Sequence, residues 1–443
     1  MSVERSVSRL SRALAMAMLA GEWETPAMLE RATSILGHEP PWLAPLVRRM
    51  RKTFVVPPRD DVDALVLAVA ARAAVRRSVS PPHECPVRRW LVDEPTMGSE
   101  HFAVPPLATT GELGAWLGLT PSELDFLADL RQLGARTTEP KLRHYTVRFL
   151  PKATGGVRVV EAPKGRLKAI QRRILREILD AVPPHDAAHG FVRGRSVATH
   201  AALHARRAVV VRLDLEDFFP SIRASRVHAT FRALGYPTPV ARALTALTTT
   251  ITPRAAWRAV AQPTDARELQ QRFHQRQRHA ERHLPQGAPT SPALANLTAY
   301  GLDVRLAALA SALDGTYSRY ADDFVLSGDD TMARAATRLV PRIAAIALEE
   351  GFRVRHDKTR VMRASVRQEI CGLVVNASPR PERRELEQLE AILFNCVRDG
   401  ASANNRAALP DFRAHLAGRI AWIAAHDPTR GARMRELFGR VAW

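Results

Sequence analysis

The sequence predicts an α+β fold in which a small antiparallel sheet lies between two helical regions. Ala208–Leu215 is a β-branched run of the kind found in buried strands. Two short runs rich in aromatic and β-branched residues, Tyr317–Tyr320 and Phe324–Ser327, flank a tight turn and indicate a hairpin. Apolar residues at helical spacing follow Arg380, and a second helical pattern covers Phe412–Ala425, so we expect a helical C-terminal region.

The N-terminal region, residues 1–105, has the pattern of helices separated by proline-rich connectors. Its apolar segment Ala13–Ala20 is similar to the core of a signal peptide, but no clean cleavage site follows, which favours an amphipathic helix. We recognise no nuclease or protease motif in this region. We therefore expect a helical extension and assign it no role.

Helices, a hairpin and a basic helix are predicted, in that order, between this extension and the β-branched run. Thr109–Leu133 has the pattern of two short helices, the second opened by a capping sequence. His144–Leu150 and Val157–Glu161 predict two strands joined by a turn at Thr154-Gly155-Gly156. Lys168–Leu179 predicts a basic amphipathic helix.

The composition indicates a globular protein with a polyanionic partner. The chain has 443 residues, of which 46% are hydrophobic and 25% charged, and no apolar run is long enough to span a membrane. Its 65 Lys and Arg against 45 Asp and Glu give a net charge of +20. Residues 139–179 alone contain eleven Lys or Arg and three Asp or Glu, and residues 253–283 contain seven and three. Nucleic acid is the expected partner of such concentrated positive charge.

The three cysteines, Cys85, Cys371 and Cys396, show no CxxC spacing. The sequence therefore encodes neither a zinc ribbon nor a disulfide framework. This cysteine usage fits a reducing compartment, and we expect a cytoplasmic protein.

Three aspartates are the candidate catalytic residues. Asp214 ends the β-branched run, and Asp322 and Asp323 occupy the turn of the second predicted hairpin. Adjacent aspartates repel each other unless cations lie between them and a third carboxylate. Two divalent ions about 3.5–4 Å apart would satisfy all three carboxylates, activate a primer hydroxyl and stabilise a leaving pyrophosphate. Mg²⁺ prefers such oxygen ligands, so the pattern predicts a site for two Mg²⁺ ions.

A second acidic pair, Asp329-Asp330, follows Gly328 and competes for this assignment. It runs directly into Thr331–Leu339, which has a helical pattern. One of its two aspartates is therefore better explained as a helix N-cap, and we assign the site to the first pair.

Five motifs between residues 140 and 377 resemble those of reverse transcriptases and follow that family's order. They are His189-Gly190-Phe191 with Gly194-Arg195-Ser196, the acidic motif Asp214–Ser221, the template-side loop Leu284–Pro292, the catalytic turn Tyr320-Ala321-Asp322-Asp323, and Gly351-Phe352 followed by Lys358-Thr359. The resemblance implies a right-hand polymerase. Its fingers would cover residues 106–207, its palm with the antiparallel sheet residues 208–377, and its helical thumb residues 378–443.

Two further segments resemble retron reverse transcriptases in particular. Ile370–Asn376 is similar to a retron segment that usually reads Val-Thr-Gly-Leu-Val-Val-Asn, with Ile-Cys in place of Val-Thr. His200–His204 is similar to a retron Asn-Ala-x-x-His segment, with histidine in place of asparagine. The resemblance implies RNA contacts by these segments and by the fingers motif, and the expected residues are Arg193, Arg195, His200, His204, Gly372 and Asn376.

The resemblance also implies roles around the aspartates. Asp214 and Asp322 would be metal ligands, with the carbonyl of Leu215 as a further ligand. Asp323 would bind or orient the metal at the primer end. Lys358 is a candidate proton donor to pyrophosphate.

Nucleotide contacts are expected from the hairpin and two loops. Lys152 and Arg158, on its two arms, would neutralise an incoming triphosphate. Phe219 has the bulk to lie under the sugar and to clash with a 2′-hydroxyl. Gln286 and Gly287 would let the backbone approach the template base pair, since glycine has no intervening side chain.

Two histidine-bearing segments allow more than one interpretation. His200 and His204 stand at i, i+4, but no third zinc ligand is placed, so a helical face that touches RNA or packs under the fingers is favoured. Gln270–His283 predicts a solvated polar helix, and nucleic-acid contact stays open because Phe273 lies among its cations.

Together these features predict an RNA-directed DNA polymerase of retron type. By resemblance it would bind a cognate structured noncoding RNA as template and primer, consume dNTPs, hold an RNA–DNA hybrid product, and act in anti-phage defence with a possible separate effector protein. A group II intron-like reverse transcriptase is an alternative, disfavoured because only residues 378–443 follow the palm. A catalytically silent RNA-binding scaffold or antitoxin is another, disfavoured because clustered carboxylates would repel RNA without metals.

Overall fold

The structure, a computed structural model, describes residues 3–59, 61–79, 85–88, 97–98, 101–137, 139–152, 156–261, 263 and 265–443. The chain forms two compact units, residues 1–96 and 97–443. The predicted turn residues Thr154 and Gly155 lie outside the described residues. No described helix combines the length and the apolar character that crossing a bilayer requires.

The first unit is helical and is built around the apolar side of its first helix. Its helices are α1 (Val3–Leu19), α2 (Thr25–Leu36), α3 (Leu43–Thr53), α4 (Val62–Ala70) and α5 (Ala73–Arg77). Leu14, Met18, Met28 and Ile35 are fully buried in its core. Residues 13–19 form the C-terminal part of α1, which confirms the helix predicted there.

The second unit opens with short helices and a two-stranded hairpin. The elements are α6 (Thr110–Leu117), α7 (Pro121–Ala128), α8 (Leu133–Arg136), the antiparallel strands β1 (Tyr145–Pro151) and β2 (Val157–Pro163), α9 (Gly165–Glu177) and α10 (Val197–Ala202). Helices α6 and α7 each begin with a capping box, in which a threonine and a glutamate three residues later satisfy amides of the first turn. The short helices, the hairpin strands and the basic helix predicted here are confirmed.

A four-stranded antiparallel sheet in the order β4–β5–β3–β6 forms the centre of this unit. Its strands are β3 (Val209–Asp214), β4 (Thr316–Tyr320), β5 (Asp323–Gly328) and β6 (Arg360–Arg363). Val209 and Val211 join the main core, whereas Val210 faces a second cluster with Val325 and Ile370. Both faces of β3 are therefore covered, which explains its continuous β-branched sequence.

Helices connect and cover these strands. They are α11 (Phe218–Ser221), α12 (Ala224–Ala233), α13 (Thr238–Thr248), α14 (Ala266–Ala280), α15 (Ser291–Thr298), α16 (Tyr300–Ser311) and α17 (Asp330–Glu349). Asp329 stands at the N-cap position of α17, as predicted for the second acidic pair. Its carboxylate contacts Arg207 at 3.6 Å and makes no hydrogen bond to the helix amides.

The C-terminal part combines a small sheet with four helices. They are β7 (Glu369–Ile370), β8 (Leu373–Val374), β9 (Arg380–Pro381), α18 (Arg383–Asp399), α19 (Ala401–Asn404), α20 (Phe412–His426) and α21 (Pro428–Gly439). Leu389, Leu393, Ile423 and Met434 are buried between the helices. The predicted helical region is confirmed, although it begins after Arg380, because Arg380 and Pro381 pair with β8.

Candidate active site

The three candidate aspartates meet at one end of the central sheet. The antiparallel register places Asp214, the last residue of β3, opposite Asp323, the first residue of β5. Tyr320 pairs with Asp323 in the β4–β5 hairpin, so Asp322 lies in its two-residue turn. The amide of Leu215 donates to the carbonyl of Asp322 at 2.8 Å, which ties the turn to the end of β3. Paired residues of antiparallel strands have Cα atoms about 4.5–5.5 Å apart, so the strands bring these residues together.

The candidate catalytic turn, residues 320–323, is held in place by the His189-Gly190 segment. Ala321 has a positive φ of 59°, and its carbonyl accepts a hydrogen bond from Arg319 at 3.0 Å. The amide of His189 donates to the carbonyl of Arg319 at 2.7 Å. A β-carbon at Gly190 would overlap the amide nitrogen of Ala321, so only glycine allows this approach. The fingers motif therefore supports the geometry of the turn.

The turn concentrates negative charge away from solvent. Burial raises the pKa of Asp322, and the neighbouring carboxylate of Asp214 raises it further. Burial also raises the pKa of Asp323, although Arg212 opposes this change. Burial thus disfavours the ionised form of both carboxyls, and a nearby positive charge opposes that effect.

Asp323 is turned toward an arginine that the sequence analysis did not single out. Arg212 donates from Nε to both carboxylate oxygens at 3.0 and 2.8 Å, and its terminal nitrogen lies 2.6 Å from Oδ2. The thiol of Cys371 approaches the same oxygen at 3.7 Å. The oxygens of the three aspartates, all within the described part of the chain, do not all lie within 4.8 Å of one another. Asp323 is thus paired with Arg212, whereas Asp214 is paired with Lys358.

Lys358 lies directly on the site. It ends a short 3₁₀ turn (His356–Lys358) and donates from Nζ to Oδ2 of Asp214 at 2.9 Å. Its side chain is 44% exposed, so it remains open to a ligand. The sequence analysis expected this lysine near a pyrophosphate, and the structure places it beside Asp214, a candidate catalytic residue.

A cavity of about 690 Å³ adjoins the site and has cations on several sides. Its lining includes Lys152 from the hairpin, Arg272 from α14, and Arg355 and Lys358 from the segment before β6. Burial lowers the pKa of Lys152, and nearby Asp217 acts in the opposite direction. Arg158 lies opposite Leu150 on the hairpin and is exposed. The lining also includes the carboxylates Glu216, Asp217, Asp265, Glu268 and Asp357, so the cavity is mixed in charge.

Phe219 lies at the edge of the core and not within it. Its ring is half-buried, with centroids 5.6 Å from Phe218 and 6.0 Å from Phe191. Phe191 is 51% exposed and has a positive φ of 63°. Two aromatic rings from the palm and the fingers motif therefore meet beside Asp214's strand end.

The loop with Gln286 and Gly287 is joined to the hairpin. The carbonyl of Gln286 accepts a hydrogen bond from the amide of Glu161 in β2 at 2.8 Å. Gly287 has φ 127°, and a β-carbon there would lie 3.1 Å from the carbonyl oxygen of Glu161. In the structure, Gly287 thus allows the backbone to approach β2 closely. The sequence analysis expected a close approach to the template base pair instead.

Comparison with known proteins agrees with this geometry. A family model described as reverse transcriptase (RNA-dependent DNA polymerase) matches residues 150–385. The Retron Mx65 reverse transcriptase of Myxococcus xanthus is 38% identical over 348 residues, which cover 79% of this chain and 75% of that protein. The chain belongs to the retron-type reverse transcriptases. The Retron Mx162 reverse transcriptase of the same organism is 37% identical over 342 residues, covering 72% of this chain and 65% of that protein.

The solved structures that resemble this one are more distant. Telomerase from Candida albicans in complex with a fragment of telomeric RNA aligns with 95% of this chain and 78% of its own, at 11% identity and a TM-score of 0.39. The family assignment rests on sequence similarity. As a member of this family, the chain has the right-hand polymerase fold and is an RNA-directed DNA polymerase. An RNA template is accordingly its partner.

The structure corrects the retron-type RNA contacts expected of His200 and His204. Both side chains are fully buried. Ser318 of β4 contacts Nδ1 of His200 and Nε2 of His204 at 2.7 Å each, and Ser327 of β5 contacts Nδ1 of His204 at 2.6 Å. Burial lowers the pKa of His200 to about 3, so the ring is neutral. Helix α10 and the turn that follows it present these rings to the sheet, where RNA has no access, so packing is observed in place of an RNA contact.

Of the other residues expected to contact RNA, Arg193 has an exposed side chain, whereas Arg195, Asn376 and Gly372 make contacts within the protein. Arg193 is exposed. Arg195 donates to the carbonyls of Asp186 and Ala188. Asn376 accepts from the amide of Gln368 at 2.8 Å and donates to the carbonyls of Ala364 and Val366. Gly372 has φ 83° and faces Trp422 of α20.

Two ion-pair systems near the site, one half-buried and one fully buried, were missed by the sequence analysis. Arg278 of α14 lies 3.0 Å from Glu216 and 2.6 Å from Asp217, next to the cavity. The polar run therefore forms a helix that is anchored to the first acidic motif. Arg319 and Asp303 form a fully buried pair at 2.6 Å beneath the turn. A lone arginine in the strand run 316–320 was the available sign of the second pair.

Proposed function

We propose that this retron-type reverse transcriptase copies part of a cognate structured noncoding RNA into branched single-stranded DNA, primed from a 2′-hydroxyl of that RNA. The observation that carries the proposal is the meeting of Asp214 and Asp322 at the end of β3, in a chain 38% identical to a retron reverse transcriptase over 75% of that protein.

The donor set fits two Mg²⁺ ions. Carboxylate and carbonyl oxygens are the ligands that Mg²⁺ prefers, and Asp214 and Asp322 meet at the end of β3. Asp214 and Asp322 would hold the ions together with the carbonyl of Leu215, and Asp323, braced by Arg212, would orient the site from behind. Such ions, when bound, lower the pKa of a hydroxyl and stabilise the charge on a leaving pyrophosphate.

The chain's own side chains would bind and orient the dNTP. Lys152, which lines the cavity, and Arg158, which is exposed on the same hairpin, would neutralise the triphosphate. Lys358, which donates to Asp214, would pass a proton from Nζ to the pyrophosphate. Phe219 would pack under the deoxyribose and exclude a 2′-hydroxyl.

Template and product would follow the basic surface. Gln286 and Gly287 belong to the template-side loop, with one side of Gly287 exposed, and Arg193 is an open cation for RNA phosphates. The RNA–DNA hybrid would lie between this loop and the helical C-terminal region. Anti-phage defence in the cytoplasm, with a separate effector protein, is the biological setting that we propose for this activity.

Co-expression with the transcribed DNA that flanks the gene tests the proposal. Short single-stranded DNA that copurifies with the protein should be linked to RNA through a 2′,5′ branch, and treatment with a debranching enzyme should release it. The Asp322→Asn variant should yield none, whereas Asp329→Asn should yield the wild-type amount. Linear, unbranched cDNA from a wild-type preparation would instead favour the group II intron-like alternative.

A further inference from the structure

Away from the polymerase site, three side chains that carry metal-binding atoms meet in the core. Glu161 lies in β2, His279 near the end of α14, and His283 just before the template-side loop. All three are buried, with at most 1% of each residue exposed. One ligand atom from each lies within 4.8 Å of the other two. In the described part of the chain, no other trio of His, Cys, Asp or Glu comes so close.

Backbone carbonyls fix the orientation of both imidazoles. Nδ1 of His279 lies 2.8 Å from the carbonyl of Gln275, and Nδ1 of His283 lies 2.8 Å from the carbonyl of Glu281. A carbonyl oxygen can only accept, so each Nδ1 carries the hydrogen and each Nε2 is left to face the cluster. Metal-binding histidines are typically oriented in this way, with the second nitrogen donating to a carbonyl or carboxylate.

One of the nitrogen atoms that face the centre of the cluster has no hydrogen-bond partner, although a purely structural cluster would be expected to provide one. Nε2 of His279 is buried and has no hydrogen-bond partner. An unpaired buried polar atom costs about 1–3 kcal/mol. Nε2 of His283 lies 2.8 Å from Oε2 of Glu161. Thr252 donates its hydroxyl to the other oxygen at 2.6 Å and so orients the carboxylate.

We propose that this cluster binds one Zn²⁺ ion through Nε2 of His279, Nε2 of His283 and the carboxylate of Glu161. Two imidazoles and a carboxylate form a ligand set that zinc accepts, with a fourth position for water. Imidazole nitrogens favour zinc and its transition-metal neighbours over Mg²⁺, so this site is chemically distinct from the aspartates. When the ion binds, the proton that joins His283 to Glu161 leaves to solvent.

The bound ion would fasten the hairpin to the template-side loop. His283 exchanges backbone hydrogen bonds with Thr250 at 2.9 Å in both directions, and the carbonyl of His279 accepts from Thr252 at 3.0 Å. The amide of Glu161 donates to Gln286, three residues after His283. Zinc would therefore hold β2, α14 and the loop in one arrangement, as a positioning element without contact to the reacting atoms.

Titration of the chelator-treated full-length protein with Co²⁺ in excess Mg²⁺ tests this site, because Mg²⁺ occupies the carboxylates elsewhere. We expect one equivalent to bind with the visible absorption of a four-coordinate ion, without a thiolate charge-transfer band, and Zn²⁺ to displace it. Zn²⁺ should also raise the thermal midpoint of unfolding, since it binds the native state. Absence of stoichiometric binding, or a thiolate band, would overturn the proposal.

Variants test whether the metal binds through these side chains or elsewhere on the protein. His279→Gln should weaken Co²⁺ binding by about 100-fold or more and abolish the zinc-dependent rise in the thermal midpoint. His274→Gln, on the same helix but half-exposed, should leave both unchanged. Glu161→Gln keeps the volume and the contact with Thr252, and it serves if His279→Gln fails to fold. Unaltered binding in both His279→Gln and Glu161→Gln contradicts the assignment.

Discussion

Lys358 donates from Nζ to Oδ2 of Asp214 at 2.9 Å, although 143 residues separate the two in the chain. The contact is possible because the amide of Arg355 donates to the carbonyl of Asp214 at 2.7 Å and brings the segment before β6 to the end of β3. A side chain able to donate a proton is thus held against one of the proposed metal ligands.

Replacement of Lys358 should lower the rate of nucleotide addition more than nucleotide affinity. We expect Lys358→Ala to reduce kcat for primer extension by about 100-fold, the usual scale for the loss of a general acid. Lys358→Arg keeps the positive charge but cannot release its proton at neutral pH. Pre-steady-state extension should therefore find both variants slow, and full activity of Lys358→Arg would rule out proton donation.

Removal of the charge on Asp322 should abolish activity while it stabilises the fold. Asp322→Asn should reduce DNA synthesis on a primed RNA by about 1000-fold or more, as expected for the loss of a metal ligand. The pKa of Asp322 is raised in the folded protein, so its ionised form opposes folding at neutral pH. With EDTA present, Asp322→Asn should raise the thermal midpoint at pH 7, and this gain should vanish as the pH falls below the ordinary carboxyl pKa. Asp329→Asn is the matched control for activity.

Phe219 should determine the choice between deoxyribose and ribose. Phe219→Ala opens space beside a half-buried ring, so we expect ribonucleotide incorporation relative to deoxynucleotide to rise by about 10-fold or more. Single-nucleotide addition with dNTP and rNTP measures the ratio. Phe273→Ala removes an exposed ring on α14 and should leave the ratio unchanged. Equal ratios in the two variants would exclude Phe219 from sugar selection.

The Arg212–Asp323 pair should contribute more to the free energy of unfolding than a surface ion pair does. Arg212→Met leaves a mostly buried carboxylate without its partner, and we expect the free energy of unfolding to fall by about 2 kcal/mol. Asp323→Asn in the same chain should recover part of this loss, and a double-mutant cycle in urea measures the coupling. Arg363→Met, on the exposed end of β6, should change stability little. Strict additivity of the two substitutions would contradict a direct interaction.

Substitutions of His204 and Arg193 should have different effects, the first on stability and the second on RNA affinity. His204→Ala removes the link between Ser318 and Ser327, so we expect a loss of about 2 kcal/mol in stability with RNA affinity retained. Arg193→Ala should weaken binding of a structured RNA, more at low salt than at high salt, with stability unchanged. Reduced RNA affinity in folded His204→Ala would restore the direct contact expected from the sequence.

Local patterns predicted the parts of the fold that depend on nearby residues. The β-branched run forms β3, and the runs around Asp322 form the β4–β5 hairpin. These strands were predictable because the burial of a strand is reflected in the hydrophobic pattern of consecutive residues. The meeting of Asp214 with the turn also followed from motif order, once a polymerase palm was inferred.

Contacts that depend on register or on helix packing were not predictable in the same way. Arg212 faces Asp323 only because β3 and β5 pair in one register out of several. His200 and His204 have the same spacing whether their segment faces RNA or the sheet, and only the tertiary packing determines which of the two it faces. Glu161 and His283 come together from 122 residues apart, a distance at which no sequence spacing indicates a ligand set.

The contact between Gly190 and Ala321 has a genetic consequence. Every single-base change that replaces glycine introduces a β-carbon, and at this position that atom would collide with the peptide nitrogen of the catalytic turn. Apart from synonymous third-base changes, the codon for residue 190 therefore offers no single-base change that we expect to preserve activity. In a saturation library selected for DNA synthesis, it should emerge as immutable even though its side chain is a single hydrogen atom.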